Sequence, residues 1–500
     1  MDTRLYSVAQ IRAIEAAAAA SLEPGTLMRR AGRAAADAAL ALLGSERARP
    51  VLVLAGPGNN GGDALEVAAN LAEAGADVVV LHLAGSGKVS PEAAQALARA
   101  RASRANFADV GLDVRDWALV VDGLFGIGLE RPLEGRYREL VTGIDRLACP
   151  VLALDVPSGL DADSGAIVGN GVAVRATHTI TFIGDKPGLH TAEGRDHAGA
   201  VQVADLELES NLYEPAQASI ASPALFAPYL APRRLNSHKG QYGDVAVIGG
   251  AHGMAGAAIL AARAALYAGA GRVFAAMLGP ALALDPLQPE LMLRAAHDVE
   301  LAGRVLVLGP GMGGAMEAMR VLGAGIDGTT PIVIDADGLN LVAASLELQE
   351  RAARRQEPTV VTPHPLEAAR LLGITAVEVQ ADRLGAARTL AKRLQAVVVL
   401  KGCGTVLARP DGEVAVNPTG NPGLATGGSG DVLAGVCGAL LAQGWPAWEA
   451  AVGAVWMHGA AADRLVQEGI GPVGMTAGEL PAAVRAVFNG LVKQHAAGRS

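Results

Sequence analysis

Short apolar runs, each closing on glycine or another turn residue, recur along the chain with room for a helix between them. In the first half they are VLVLAG (51–56), VVVLHL (78–83), LVVDGLFG (119–126), VLALDVPSG (151–159) and TITFIG (179–184). Between them, 63–74 and 90–101 carry apolar residues every three or four positions and predict helices. Further helices, about 7–43, precede the first strand. The strand runs are apolar at nearly every position, so both faces are covered. That is the signature of a parallel sheet between helical layers.

Residues 209–235 break the rhythm with four prolines and no strong period. The pattern then restarts with DVAVIGG (244–250), RVFAAML (272–278), VLVLGPG (305–311), PIVIDAD (331–337), TVVTPHP (359–365) and VVVLKGCGTVLA (397–408). The expected organisation is therefore two α/β domains, 1–210 and 235–495, joined by a linker at 211–234. Ala257–Leu278 is the most membrane-like stretch, but Arg263, Arg272 and several glycines interrupt it. It reads as a buried helix, a turn and a strand.

A length of 500 residues exceeds what one ordinary core fills, in agreement with two domains. The net charge of −9 argues against broad nucleic-acid binding, which needs a basic face. The arginine groups Arg29, Arg30, Arg33 and Arg351, Arg354, Arg355 read as solvated helix faces. Three separated cysteines, Cys149, Cys403 and Cys437, form neither a disulfide framework nor a zinc motif. A reducing, cytoplasmic setting is expected. Arg12 and Glu15 interrupt the N-terminal apolar stretch, so it does not read as a signal peptide.

In an open parallel sheet, ligands bind beyond the carboxyl ends of the strands. Candidate chemistry follows the apolar runs accordingly. GPGNNGGDA (56–64) leads into a helix, whose start favours anions. Asp63 reads either as part of a ligand loop or as a helix cap. Asp122 and Asp155 stand at strand ends, where a carboxylate needs a partner. Asn60, Asp122 and Ser158 offer oxygens suited to a hard cation. In the second half, NPTGNPGLATGGSGDVLAG (417–435) sets a glycine-dense loop before an apolar helix. The amides of Gly427 to Gly430 would face an anion, with Asp431 beside it as a base toward a substrate hydroxyl. Lys401 and Thr405 of KGCGT, His364 between two prolines, GPGMG (309–313) and the carboxylates of DADGLN (335–340) end neighbouring strands.

GPGNNGGDA, DGLFGIGL, DVPSGLDADSG and THTITFIGDKPGL, in that order, resemble the NAD(P)H-hydrate epimerase domain over nearly all of 1–210. The resemblance implies a Rossmann-like fold and a potassium ion held by Asn60, Asp122 and Ser158. It also implies substrate contacts from Asn59, Asn60, Gly61, Gly62 and Asp63, from the loop Gly126, Ile127, Gly128, Leu129, Glu130, Arg131 and Pro132, and from Asp155. Ala64 replaces the family's glycine.

HKGQYGDVAVIGG, VLGPGMG, DADGLN, TPHP, KGCGT, NPTGNPGLATGGSGDVLAG and GMTAGEL resemble the ribokinase-like superfamily and, more closely, ADP-dependent NAD(P)H-hydrate dehydratase. Here the resemblance implies hydrate contacts at Ala257, Gly311, His364 and Asp431. Adenine-nucleotide contacts fall at Lys401, Gly402, Cys403, Gly404, Thr405 and Gly430. Leu366 replaces the glycine of the family's TPHPGE.

Together the halves resemble a bifunctional repair enzyme for hydrated nicotinamide cofactors. The expected reactions are exchange of the R and S hydrates, with Asp155 as acid/base, and ADP-dependent dehydration of the S form. The expected products of the second are NAD(P)H, AMP and phosphate, with Asp431 as base and magnesium assisting. A homo-oligomer without nucleic-acid or membrane partners is expected. Two rivals stay open: a ribokinase-like small-molecule kinase, and a first half that binds a ligand without catalysis.

Overall fold

In the computed structural model, which describes residues 3–46, 49–85, 89–109, 111–112, 116–280 and 282–498, the apolar runs become parallel strands, except that 397–408 splits into two strands paired antiparallel. The chain divides into two units, Met1–Ser219 and Ile220–Ser500.

The longer elements of the first unit are α1 (Val8–Ala19), α2 (Thr26–Leu43), β1 (Val51–Ala55), α3 (Asn59–Glu73), β2 (Val78–His82), α4 (Pro91–Ala102), β3 (Asn106–Phe107), β4 (Leu119–Gly123), α5 (Gly135–Ile144), β5 (Val151–Leu154), β6 (His178–Phe182) and β7 (Ala200–Ala204). The sheet order is β3-β2-β1-β4-β5-β6-β7, with every pair parallel. Val51, Val53 and Ala55 face a core built with α2, α3 and α4, while Leu52 and Leu54 face another built with α5. This two-sided burial explains the unbroken apolar runs, each buried Val or Leu contributing about 1.5–3 kcal/mol.

The structure corrects the expected start of α3. NNGGD is the helix's first turn rather than a loop before it, and the N-cap is Gly58, not Asp63. The glycines are there for space: a methyl on Gly61 would stand 1.9 Å from the Gly56 carbonyl oxygen. Packing overrides the low helix propensity of glycine. Ala64 is fully buried with its methyl against Gly123, which itself has no room for a side chain.

The second unit contains β8 (Asp244–Gly249), α6 (Ala255–Tyr267), β9 (Arg272–Met277), β10 (Met292–Ala295), β11 (Val305–Leu308), α7 (Met316–Asp327), β12 (Ile332–Ile334), α8 (Ala336–Ala344), α9 (Leu346–Ala353), β13 (Thr359–Val361), α10 (Pro365–Leu372), α11 (Arg383–Leu394), β14 (Val397–Leu400), β15 (Val406–Ala408), β16 (Val414–Val416), α12 (Ser429–Ala442), α13 (Ala447–Gln467) and α14 (Leu480–Ala497). Its strands run β16-β15-β14-β13-β12-β11-β8-β9-β10. They are parallel except where β15 pairs with β14 and β16. One large core joins β8, β9, β11 and β14 to α6, α12 and α13. Gly435 lets α12 press on α6, since a methyl there would stand 2.0 Å from the Ala261 carbonyl oxygen.

The membrane-like stretch forms α6, a turn and β9, and among the described residues no helix is long and apolar enough to cross a membrane. The proline-rich stretch is not a free tether. Phe226 and Leu230 are buried in the second unit's core, and Phe226 stacks on Trp445.

Candidate active sites

In the first unit the ends of β4, β5 and β6 converge with the start of α3. Asp122, the fourth residue of β4, is fully buried and accepts from Ser158 N (2.9 Å), Ser158 Oγ (2.6 Å) and Leu124 N (3.2 Å). Burial raises its pKa and these hydrogen bonds pull it down. The Phe125 amide donates to Ser158 Oγ at 2.9 Å. Asn60 is 9% exposed, yet its side-chain oxygen and nitrogen have no partner. The unsatisfied side-chain oxygen of this buried amide fits a ligand for a cation of the hard, oxygen-seeking class.

Asp155 follows β5 in the left-handed region, φ 67°, which a non-glycine residue adopts only when its surroundings enforce it. Its Oδ1 lies 2.8 Å from Lys186 Nζ. Lys186 is fully buried and also donates to Thr181 Oγ1 (2.7 Å), Phe182 O (3.0 Å) and Gly184 O (3.1 Å). The other carboxylate oxygen of Asp155 faces Gly126. A methyl on that glycine would stand 3.2 Å from Asp155 Oδ2 and 3.3 Å from Asn60 Cγ. Asn60, Gly126 and Asp155 therefore meet.

Helix α1 adds two residues that the sequence reading did not select. The Arg12 guanidinium reaches to 3.9 Å from where a Gly128 side chain would begin. Glu15 is pushed up by burial and then by the charge of Asp155. Asp63 is pushed well above the ordinary carboxyl range by burial first, then by Asp155, Glu15 and Glu66. Elsewhere in the expected substrate loop, Ile127 and Leu129 pack against the two cores, Glu130 and Arg131 are exposed, and Pro132 lies against Gly169.

In the second unit, Gly428 begins α12 at φ 94°, and Asp431 falls in the first turn. Burial, reinforced by Asp335, pushes the Asp431 carboxyl up to about 7; Lys401 opposes the rise, while Asp337 and Glu367 add to it. Lys401 does not pair with Asp431 directly. Its Nζ lies 2.7 Å from Asp335 Oδ1 and 3.9 Å from Glu367 Oε2. Gly430 passes over this lysine, and a methyl on it would stand 3.3 Å from Nζ. A carboxyl poised near neutrality beside a lysine, under helix-start amides, is equipped to take a proton where an anion is bound.

His364 caps α10, accepting from Leu366 N at 3.3 Å and donating its own amide to Glu367 Oε2 at 2.7 Å. Burial, then Lys401 and Arg383, lowers its imidazole pKa. Leu366 is half exposed on the helix surface, so the departure from glycine leaves the turn intact. Gly311, at φ 58°, abuts Ala257, and Asp337 holds the Gly313 amide at 2.8 Å.

The KGCGT loop rests on Arg383, another residue the sequence reading missed. Arg383 is 1% exposed and donates to Leu400 O and Lys401 O, both at 3.2 Å. Thr405 Oγ1 closes the loop onto Gly402 O (3.0 Å), leaving Cys403 exposed and Gly404 buried. Asp463 of α13 braces the preceding glycine loop through Gly420 N (2.8 Å) and Asn421 Nδ2 (3.0 Å). Among the described residues, no group of three or more His, Cys, Asp or Glu is placed to hold a metal.

A family model described as NAD(P)H-hydrate dehydratase matches residues 245–484, and one described as YjeF-related protein N-terminus matches residues 24–188. A bifunctional NAD(P)H-hydrate repair enzyme from Coxiella burnetii is 39% identical over 97% of this chain and 100% of its own length. The chain belongs to the bifunctional NAD(P)H-hydrate repair enzymes. The relative of the same description from Escherichia coli is 38% identical over 95% of this chain and 92% of its own. An ADP/ATP-dependent NAD(P)H-hydrate dehydratase from Bacillus subtilis, co-crystallised with ATP and magnesium, is 30% identical, with a TM-score of 0.47, covering 54% of this chain and 98% of that one. Membership in the repair-enzyme family sets aside the two rivals, a kinase of a stable alcohol and a non-catalytic first half.

Proposed function

We propose that the first unit exchanges the R and S hydrates of NAD(P)H and that the second dehydrates the S form at the expense of ADP. The observation that carries the second half is Asp431, a carboxyl poised near pH 7 in the first turn of α12, beside Lys401 and Asp335. Asp431 takes the proton of the ring hydroxyl as its oxygen attacks the terminal phosphorus of ADP, and AMP leaves. The helix-start amides from Gly427 to Gly430 and Lys401 neutralise the charge that spreads over the phosphoryl oxygens. The ring nitrogen then expels phosphate, and loss of the neighbouring proton restores the reduced nicotinamide. Hydrate and ADP thus give NAD(P)H, AMP, phosphate and a proton. A magnesium ion, when bound with the nucleotide, would add to the charge neutralisation supplied by Lys401 and the helix-start amides.

In the first unit, Asp155 is the acid/base that assists departure and return of the hydroxyl at the ring carbon. Asp63 is a second carboxyl able to hold a proton beside it. Asn60, Asp122 and Ser158 would hold potassium, which supplies a fixed positive charge; the unsatisfied Asn60 amide supports this. Ala257, Gly311 and His364 line the hydrate side of the second site, and Lys401 to Thr405 with Gly430 the nucleotide side. The free cysteines support a cytoplasmic setting.

Product stoichiometry tests the central reaction. Each restored NAD(P)H is expected with one AMP and one phosphate; restoration without consumption of ADP rejects it.

A further inference from the structure

We infer that Lys186 is the positioning residue of the first unit's site, pinning one oxygen of Asp155 so that the other is presented to the substrate. This deepens the epimerase reading and rests on it.

A fully buried lysine is costly unless its ammonium is completely satisfied. Here it is held by four oxygens: Asp155 Oδ1 at 2.8 Å, Thr181 Oγ1 at 2.7 Å, Phe182 O at 3.0 Å and Gly184 O at 3.1 Å. Three of the four come from the end of β6 and the turn after it, so the sheet itself fixes the ammonium. Asp155, in turn, is held in the left-handed backbone region. One carboxylate oxygen is therefore immobilised from below while Oδ2 faces Gly126, where any side chain would intrude.

The turn that carries Lys186 is itself anchored. Asp185 accepts the Lys186 amide at 2.8 Å and pairs with His190 Nε2 at 2.8 Å. The charged groups that face Asp155 from the other elements are Asp63 of α3 and Glu15 of α1, with Arg12 beside Glu15. Among the described residues Lys186 is the cation that pairs with Asp155, and its removal leaves that carboxylate facing Asp63 and Glu15. Because Lys186 acts through Asp155, it governs turnover rather than substrate affinity.

The test uses the full chain and a purified single epimer of the NADH hydrate, with exchange followed by chiral chromatography. In Lys186→Ala, kcat for exchange is expected to fall about 10²-fold, the scale of a misplaced catalytic group, while KM stays close to wild type. Added ethylammonium is expected to recover part of kcat in Lys186→Ala and none in Asp155→Asn. Wild-type kcat in Lys186→Ala, or a loss shared equally with KM and unresponsive to ethylammonium, overturns the inference. If Lys186→Ala does not fold, Thr181→Val decides. A several-fold fall in kcat at constant KM supports the role, and wild-type kinetics overturns it. Asp155→Asn separates the two readings. If it retains exchange, the acid/base assignment fails; if it abolishes exchange while Lys186→Ala is unaffected, only the positioning role fails.

Discussion

Both units place a carboxylate and a lysine beyond the ends of parallel strands, but they connect them differently. In the first, Lys186 touches the candidate acid/base directly, at 2.8 Å from Asp155. In the second, Lys401 pairs with Asp335 at 2.7 Å, and Asp431 stands outside that pair with its carboxyl near 7. Burial among other carboxyls favours the protonated form of Asp431, while contact with Lys186 fixes where one oxygen of Asp155 sits. The same two residue types thus serve two tasks: an oriented carboxylate for exchange at a ring carbon, and a base able to take an alcohol proton near neutral pH.

Breaking the second arrangement has the largest expected effect. Asp431→Asn removes the base while keeping the shape, and ADP-dependent restoration of NAD(P)H is expected to fall about 10²–10⁴-fold. Epimer exchange is expected to be untouched, and separate assays of the two reactions check both halves of the statement.

The pH profile sharpens the contrast. Asp431 must be ionised to act, and its pKa is raised to about 7. Dehydration kcat/KM is therefore expected to fall about tenfold per pH unit below that value and to level off above it. An ordinary carboxylate would keep the rate flat down to about pH 4.

Gly428→Ala tests the loop rather than the base. The residue lies at φ 94°, and a methyl would stand 2.5 Å from Leu260 Cδ1. Strain of about 1–3 kcal/mol is expected, seen as a lower Tm and a raised KM for ADP. The smallest effect is expected from Asn60→Ala. Exchange in this variant is expected to need a several-fold higher potassium concentration, read by titrating the salt, with dehydration unaffected.

The α/β class and two-sided sheets were legible because both follow from local patterning: strands apolar on both faces have no other soluble home. Short edge strands were not. Asn106–Phe107 has two residues, and in Ala200–Ala204 Gln202 interrupts a short, largely exposed stretch, so neither shows an unbroken apolar run. The start of α3 was hidden because glycines tolerated for packing look like a loop in one dimension. In the sites, Asn60, Asp122, Asp155, Ser158 and Lys401 stood out by their place at or after strand ends, and Asp431 by the glycine-dense loop before its helix. Their pairings did not. Lys186 lies beyond the next strand from Asp155, and Asp335 lies 66 residues before Lys401. Only folding brings such pairs together. Arg383 was equally silent, as a basic residue in a helix reads as solvated until a loop is built over it.

The most direct measurement gives the full-length Asp155→Asn chain an equal mixture of both hydrate epimers with ADP, magnesium and potassium, and follows the absorbance of restored NADH. The account predicts a rapid rise that stalls once the usable epimer is spent, while the unsubstituted chain runs to completion. Full conversion by Asp155→Asn at the wild-type rate would contradict it.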